Sequence, residues 1–328
     1  MYRLLVLLIL LPACAVEKQH KSHLKKIGNE DVSVTDFLVS PGDKCVFSAI
    51  NNKIYVIGIE NSKTIDSIIY PENTVIQCIA LSSDSTYLIA GTRSGEIYIQ
   101  NLRLNTIEPI KLSDSQISAL ALNSSNTMIA CGTLDGSVFV LDINGNVLNR
   151  QNYHEDLVSK LKFDNTDQIL ASSGLDGNVY LNYINEEYRI SCIFDKESPC
   201  RGFSFNNKGD TLLAGYDNGR IYMLKFDSFT WDLTEQIAHL NGWITDISFT
   251  SIEKGFSISS TNGTVIIFLT VGYVYKYKFN NSVRQLHLIV NPNKQLSVIV
   301  SLEGKGLYLL SAKNMHLKLN TFSLSDVR

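Results

Sequence analysis

The side chains that could carry out chemistry are few and scattered. The six histidines are His20, His23, His154, His239, His287 and His316, and only the first two are neighbours. Those two sit in a Lys-rich polar stretch that suits a solvated linker better than a metal site. No Gly-x-Ser-x-Gly elbow, Cys-x-x-Cys pair or phosphate-binding loop occurs, so the nucleophile, zinc and phosphate motifs are missing. Carboxylates such as Asp114, Glu155, Asp156 and Asp217 could hold a cation only if the fold gathered them. At turns, Asp and Asn more often serve the backbone. The expectation is a protein that is not an enzyme, with no catalytic residue, metal or cofactor.

Six cysteines occur: Cys14, Cys45, Cys78, Cys131, Cys192 and Cys200. Cys45, Cys78 and Cys131 lie in strand-like patterns and read as small buried hydrophobes. Cys192 and Cys200 flank a short loop, and a bridge between them is conceivable if their Cα atoms come within about 5.5 Å. The charge is near balance, 29 Lys plus Arg against 32 Asp plus Glu. That leaves no cation excess to displace phosphate counterions, so no nucleic-acid partner is expected. The 45% hydrophobic content can fill a core, and its β-branched and aromatic character favours strands.

What must position these residues is a repeated unit. Ser94-Gly95, Asp135-Gly136, Asp176-Gly177, Asn218-Gly219, Asn262-Gly263 and Glu303-Gly304 each separate two alternating apolar runs. Such dipeptides suit tight hairpin turns that need positive φ. The successive glycine spacings are 41, 41, 42, 44 and 41, and Asn51-Asn52 fits the same role 43 residues before Gly95. Each turn lies between two strands, with an inner strand such as Ile117 to Leu122, Val158 to Phe163 or Ile244 to Phe249 earlier still. A fourth strand follows, as in Thr64 to Ile69. Four strands per ~41 residues is the unit of a β-propeller blade. The expected fold is all-β, a seven-bladed β-propeller of four-stranded antiparallel blades over residues 31–328. The last blade could be completed in order by Met315 to Leu319, which is favoured, or by His23 to Ile27 from the other terminus.

At this level the chain resembles the WD-repeat family, over essentially all of the sequence beyond residue 30. The fourth unit carries the best match: His154-Glu155-Asp156-Leu157-Val158, Phe163, Ser172-Ser173 and Asp176-Gly177. The resemblance implies that His154, Ser172 and Asp176 form a hydrogen-bonded network that braces the blade. The family's Trp is replaced by Asn182, and His239 repeats the His signal in the sixth unit. The namesake Trp-Asp dipeptide is missing from its expected place in all seven units. The segment Asp135 to Asp142 is also similar to the pyrroloquinoline-quinone-type propeller repeat, which the His before an inner strand argues against.

The first residues read differently. Leu4 to Leu11 is an unbroken apolar run of eight after a single Arg. A helix of that length spans about 12 Å, too short for a bilayer and right for a signal-peptide core. Leu11-Pro12-Ala13-Cys14 resembles the bacterial lipobox. That resemblance implies a signal peptide over 1–13, lipidation of Cys14, and a tether over 14–30 carrying a membrane anchor. Ala15 in place of an Asp implies an outer-membrane location facing the periplasm.

Propeller loops gather on two faces, where aromatic and Arg side chains make interface anchors. The candidates for partner contact are Arg93, Tyr153, Arg201, Tyr216 and Trp243, with Trp231 as an alternative on the rim. The expected function is a membrane-anchored lipoprotein propeller that docks a protein partner in a cell-envelope assembly or secretion complex. A periplasmic small-ligand-binding or metal-dependent hydrolytic propeller is the alternative, and an intracellular WD-repeat scaffold is a third reading.

Overall fold

The computed structural model describes residues 24–28, 32–194, 198–206, 208–226, 231–249, 255–269, 274–290 and 296–311. These form seven four-stranded antiparallel sheets, one for each repeat. The innermost strands are Asp36–Val39, Ile76–Leu81, Ile117–Leu122, Val158–Phe163, Cys200–Phe205, Ile244–Phe249 and Val283–Val290, defining blades one to seven. Within each of the first six blades the four strands pair in chain order. The second-to-third strand turns therefore fall at the same end as the blade-to-blade connections. We call that end the hairpin face.

The glycine at the repeat period has a double cause. Gly136 takes φ +84°, which a side chain resists. A Cβ there would also collide with the His154 carbonyl oxygen in the connection to blade four. Gly219 repeats both features, its neighbour being the Leu240 carbonyl. The turn and the next blade's entry loop thus pack backbone to backbone. In blade one Asn51 takes φ +52° in a tighter turn, with Ile50 opposite Lys53.

Neither face of a blade is wet. Seven apolar clusters are found among the described residues, each between two neighbouring blades. Cys78, Cys131 and Cys200 are buried in them, and Cys200 is a free thiol, so the conceived bridge to Cys192 does not form.

Ring closure departs from the expected order. The fourth strand of blade seven is Leu24–Ile27, antiparallel to Gly306–Ser311, with Leu24 opposite Leu310 and Ile27 opposite Leu307. This strand lies inside the stretch expected to be a tether. Met315 to Leu319, the favoured alternative, lies outside the described residues. The physical reason is the seam between blades seven and one. Ile27 is 3% exposed and packs with Val34, Ile57, Ile59 and Leu307, while Lys25 reaches the Glu60 carbonyl oxygen at 3.1 Å. Ile27→Ala should therefore lower the unfolding free energy by about 2–4 kcal/mol, as a cavity in a core does. Urea unfolding of the variant against the parent checks this.

Candidate functional site

Two polar assemblies and one surface emerge from this frame. The first is the blade-four network. Nδ1 of His154 lies 3.1 and 3.0 Å from the two carboxylate oxygens of Asp176, and Nε2 lies 2.9 Å from Ser172 Oγ. A carboxylate can only accept, so Nδ1 carries a proton. Asp176 also accepts from the Glu155 and Asn178 backbone N–H groups. Burial pushes its pKa up, but these donors and the His154 imidazole outweigh that and hold it below the usual value. Asn182, at the family's Trp position, is buried. Tyr153 takes over the bracing: its hydroxyl accepts from Ser172 Oγ at 3.2 Å, and its ring packs 4.8 Å from Tyr180 and 5.2 Å from His154. Tyr153 therefore turns inward into the blade, where burial pushes its hydroxyl up to about 12.

The Ser-His-Asp order of this network matches a hydrolase triad in geometry. Its surroundings differ: Ser172 is 0% and His154 3% exposed, so no substrate reaches the hydroxyl. His239 does not build a second copy. The carbonyl that abuts Gly219 belongs to Leu240, as that of His154 abuts Gly136, so His239 sits one residue early. Its imidazole is exposed, with Nε2 3.1 Å from the Asn218 carbonyl oxygen. By register Ile258 replaces Ser172 and Asn262 replaces Asp176 in blade six.

The second assembly lines the axis and was not anticipated. Equivalent register places the residues Asp36, Cys78, Ala119, Lys160, Gly202, Asp246 and Gln285 in one ring. Two residues further along the inner strands, Leu38, Ala80, Ala121, Lys162, Ser204, Ser248 and His287 form a second ring, nearer the face opposite the hairpins. In the first ring Lys160 Nζ donates to Asp246 Oδ1 at 2.6 Å, passing blade five, where Gly202 offers no side chain. Asp246 accepts from the Leu286 backbone N–H, Gln285 from that of Phe37, and Asp36 from that of Ile79. These bonds step from blade six through seven and one to two. Asp36 also accepts from Gln285 Nε2 at 2.6 Å. Burial nonetheless pushes its pKa up to about 6, with Asp246 adding to the rise.

The surface is the hairpin face. The inner strands of blades two to seven each carry a bulge at the second residue: Gln77, Ser118, Ser159, Arg201, Thr245 and Arg284. Ser118 uses it to bond the Val158 carbonyl oxygen of the next blade at 2.7 Å, and Ser159 bonds that of Cys200. Arg201 instead turns back to its own blade. Its Nε and Nη2 donate to the Asp217 carboxylate at 2.7 and 3.0 Å, and its guanidinium lies 4.9 Å from the Trp243 ring centroid. Trp243 is 50% exposed. Arg93 is exposed too, beside a depression of about 540 Å³ shared with Asp114, Gln116, Leu134 and Asp135. Tyr216 does not belong to this surface. It is fully buried, edge-on to Tyr222. Trp231 packs on Phe205 and Phe226 rather than standing free on the rim. Among the described residues no three His, Cys, Asp or Glu side chains assemble as metal ligands. Cys14 lies outside the described residues.

Three outcomes test these assignments. Asp176→Ala should cost about 3 kcal/mol of unfolding free energy, because it strands the buried His154. His239→Ala should leave the urea midpoint unchanged. For Asp36, a folded pKa of about 6 lies above the unfolded carboxyl value. Its ionisation therefore opposes folding, and that penalty appears as pH rises through 6. Relative to Asp36→Asn, the parent should gain about 2–3 kcal/mol of stability between pH 7 and pH 4, measured by urea unfolding.

Comparison with known proteins fits this geometry. A WD domain, G-beta repeat model matches residues 145–181, and a Vps41-type propeller model, described as Vps42 beta-propeller, matches residues 63–153. Ninety residues are 27% identical to cilia- and flagella-associated protein 251 of Pongo abelii, an alignment taking 27% of this chain and 8% of that protein. The structure of U3-55K superposes with a TM-score of 0.72 at 15% identity, over 89% of this chain and 99% of that one. The RRP9 WD40 repeats do so with 0.70 at 16% identity, over 89% and 98%. At such identities the superpositions speak for the fold. The Pongo abelii relative points away from the expected bacterial outer-membrane location. The lipobox-like residues Leu11 to Cys14 lie outside the described residues. Family matches, register and the blade-four network together support a WD-repeat propeller.

Proposed function

We propose that the chain is a non-catalytic protein-docking scaffold whose partner sits on the hairpin face over blades five and six. The observation that carries this is Trp243, a large aromatic that is half exposed yet held in place. Arg201 lies over its ring, and Asp217 clamps Arg201 in a two-pronged ion pair. A rigid aromatic loses little conformational entropy on binding, and Trp and Arg dominate interface energetics. The burial of the Ser-His-Asp constellation in blade four favours this over a hydrolytic reading. Arg93 and Leu134, 48% exposed, extend the surface toward blades two and three.

The test uses the full chain carrying Trp243→Ala, with crosslinking capture from the source cells and mass spectrometry of the bound species. Binding should weaken about thirtyfold or more while the melting temperature holds. Undiminished capture of the same partner by the variant would refute the assigned surface. Turnover of a substrate by the purified parent would refute the non-catalytic reading.

A further inference from the structure

In an Asn-Gly dipeptide the glycine nitrogen can attack the preceding side-chain amide, because no Cβ stands in its path. The chain has four: Asn144-Gly145, Asn218-Gly219, Asn241-Gly242 and Asn262-Gly263. The attack needs a side-chain amide free to turn and a glycine nitrogen free to reach it. Three of the four pairs are restrained. Gly145 N donates to the Asp142 carbonyl oxygen at 3.0 Å, Gly219 N to that of Tyr216 at 2.9 Å and Gly263 N to that of Ser260 at 3.0 Å. Asn218 and Asn262 are held at the side chain as well. Oδ1 of Asn218 accepts from the Arg220 backbone N–H, and that of Asn262 from the Thr264 N–H and the Ser260 hydroxyl. Asn241 differs. It and Gly242 are exposed, and among the described residues neither the Asn241 amide nor the Gly242 N–H has a hydrogen-bond partner.

The residues on either side are fixed. Leu240 N donates to the Gly219 carbonyl oxygen at 2.8 Å, and Trp243 N to Thr261 Oγ1 at 3.0 Å. Asn241 and Gly242 therefore span two pinned amides. The second pin holds the half-exposed Trp243, whose ring lies against Arg201.

We propose that Asn241 is a deamidation site, and that its conversion to isoaspartate shifts Trp243. Gly242 N attacks Asn241 Cγ and gives up its proton; the new N–C bond closes a succinimide, and the side-chain nitrogen leaves with that proton as ammonia. Water then opens the ring at one carbonyl or the other, leaving aspartate or isoaspartate. Isoaspartate routes the main chain through Cβ and Cγ. It thus adds one backbone carbon between the two pins and leaves a carboxylate beside them. Only the bearing on docking rests on the surface proposed above; the chemistry does not.

Incubating the full chain at mildly alkaline pH, in buffer and in concentrated urea, with peptide mass spectrometry over time, tests the site. Each hydrogen bond that must open first slows attack about fivefold. In the folded chain Asn241 should convert about fivefold faster than Asn144 and about twenty-fivefold faster than Asn218 and Asn262, and in urea the four rates should converge. Trp231→Phe leaves Trp243 as the only tryptophan. Its emission should move as isoaspartate accumulates, and adding Asn241→Gln should hold it constant. A folded-state rate at any of the other three equal to that of Asn241 would overturn the site, as would an Asn241 that converts in urea and not in buffer. Emission that stays unmoved while isoaspartate accumulates would overturn the shift of Trp243.

Discussion

Closure of the ring is the constraint on which everything else rests. Each sheet has two apolar faces, so an open stack would leave one bare face at either end. Joining the ends removes both at once, and the joint is made twice. At the rim, Leu24–Ile27 completes blade seven with a strand from the other end of the sequence and buries Ile27 against blade one. At the axis, the chain of acceptors from Asp246 through Gln285 and Asp36 to the Ile79 amide runs across the same seam. Neither joint lies within a single repeat.

That division explains what could be read in advance. Seven units of four strands follow from local signals, because a positive-φ turn needs Gly or Asn and the apolar runs flanking it alternate. The glycines carry a further, non-local reason, the carbonyl of the next entry loop, and the two demands keep the period visible. The closing strand was harder to see. It is four residues long, half of them Lys, and a Lys-rich stretch near a terminus reads as a tether. The pairing of Lys160 with Asp246 joins positions 86 residues apart, and nothing local marks either one. His239 misled for the opposite reason: a residue type in almost the right place does not fix register, and a one-residue offset leaves the imidazole in solvent.

The polar groups of the core show how little a constellation says without its surroundings. Ser172, His154 and Asp176 stand at hydrolase distances, yet they hold a blade together. Tyr153 supplies the hydroxyl end of that brace where the family would place an indole. Burial decides the role in each case. The same reasoning moves Tyr216 off the surface, where its residue type alone had suggested an anchor, and leaves Trp243 on it.

The Lys160–Asp246 bond has a consequence for how the molecule responds to strain. In a stack of repeats each unit feels only its two neighbours, and a disturbance fades as it passes along the row. A bond that skips blade five is a chord across the circle. It ties blade four directly to blade six, under the face where Arg201 and Trp243 meet. A displacement of the blade-four inner strand at Lys160 would then pass to blade six directly, without travelling around the rim. The missing side chain at Gly202 lets the blade-six backbone come close beneath it, since a Cβ there would stand 3.0 Å from the Asp246 Cα.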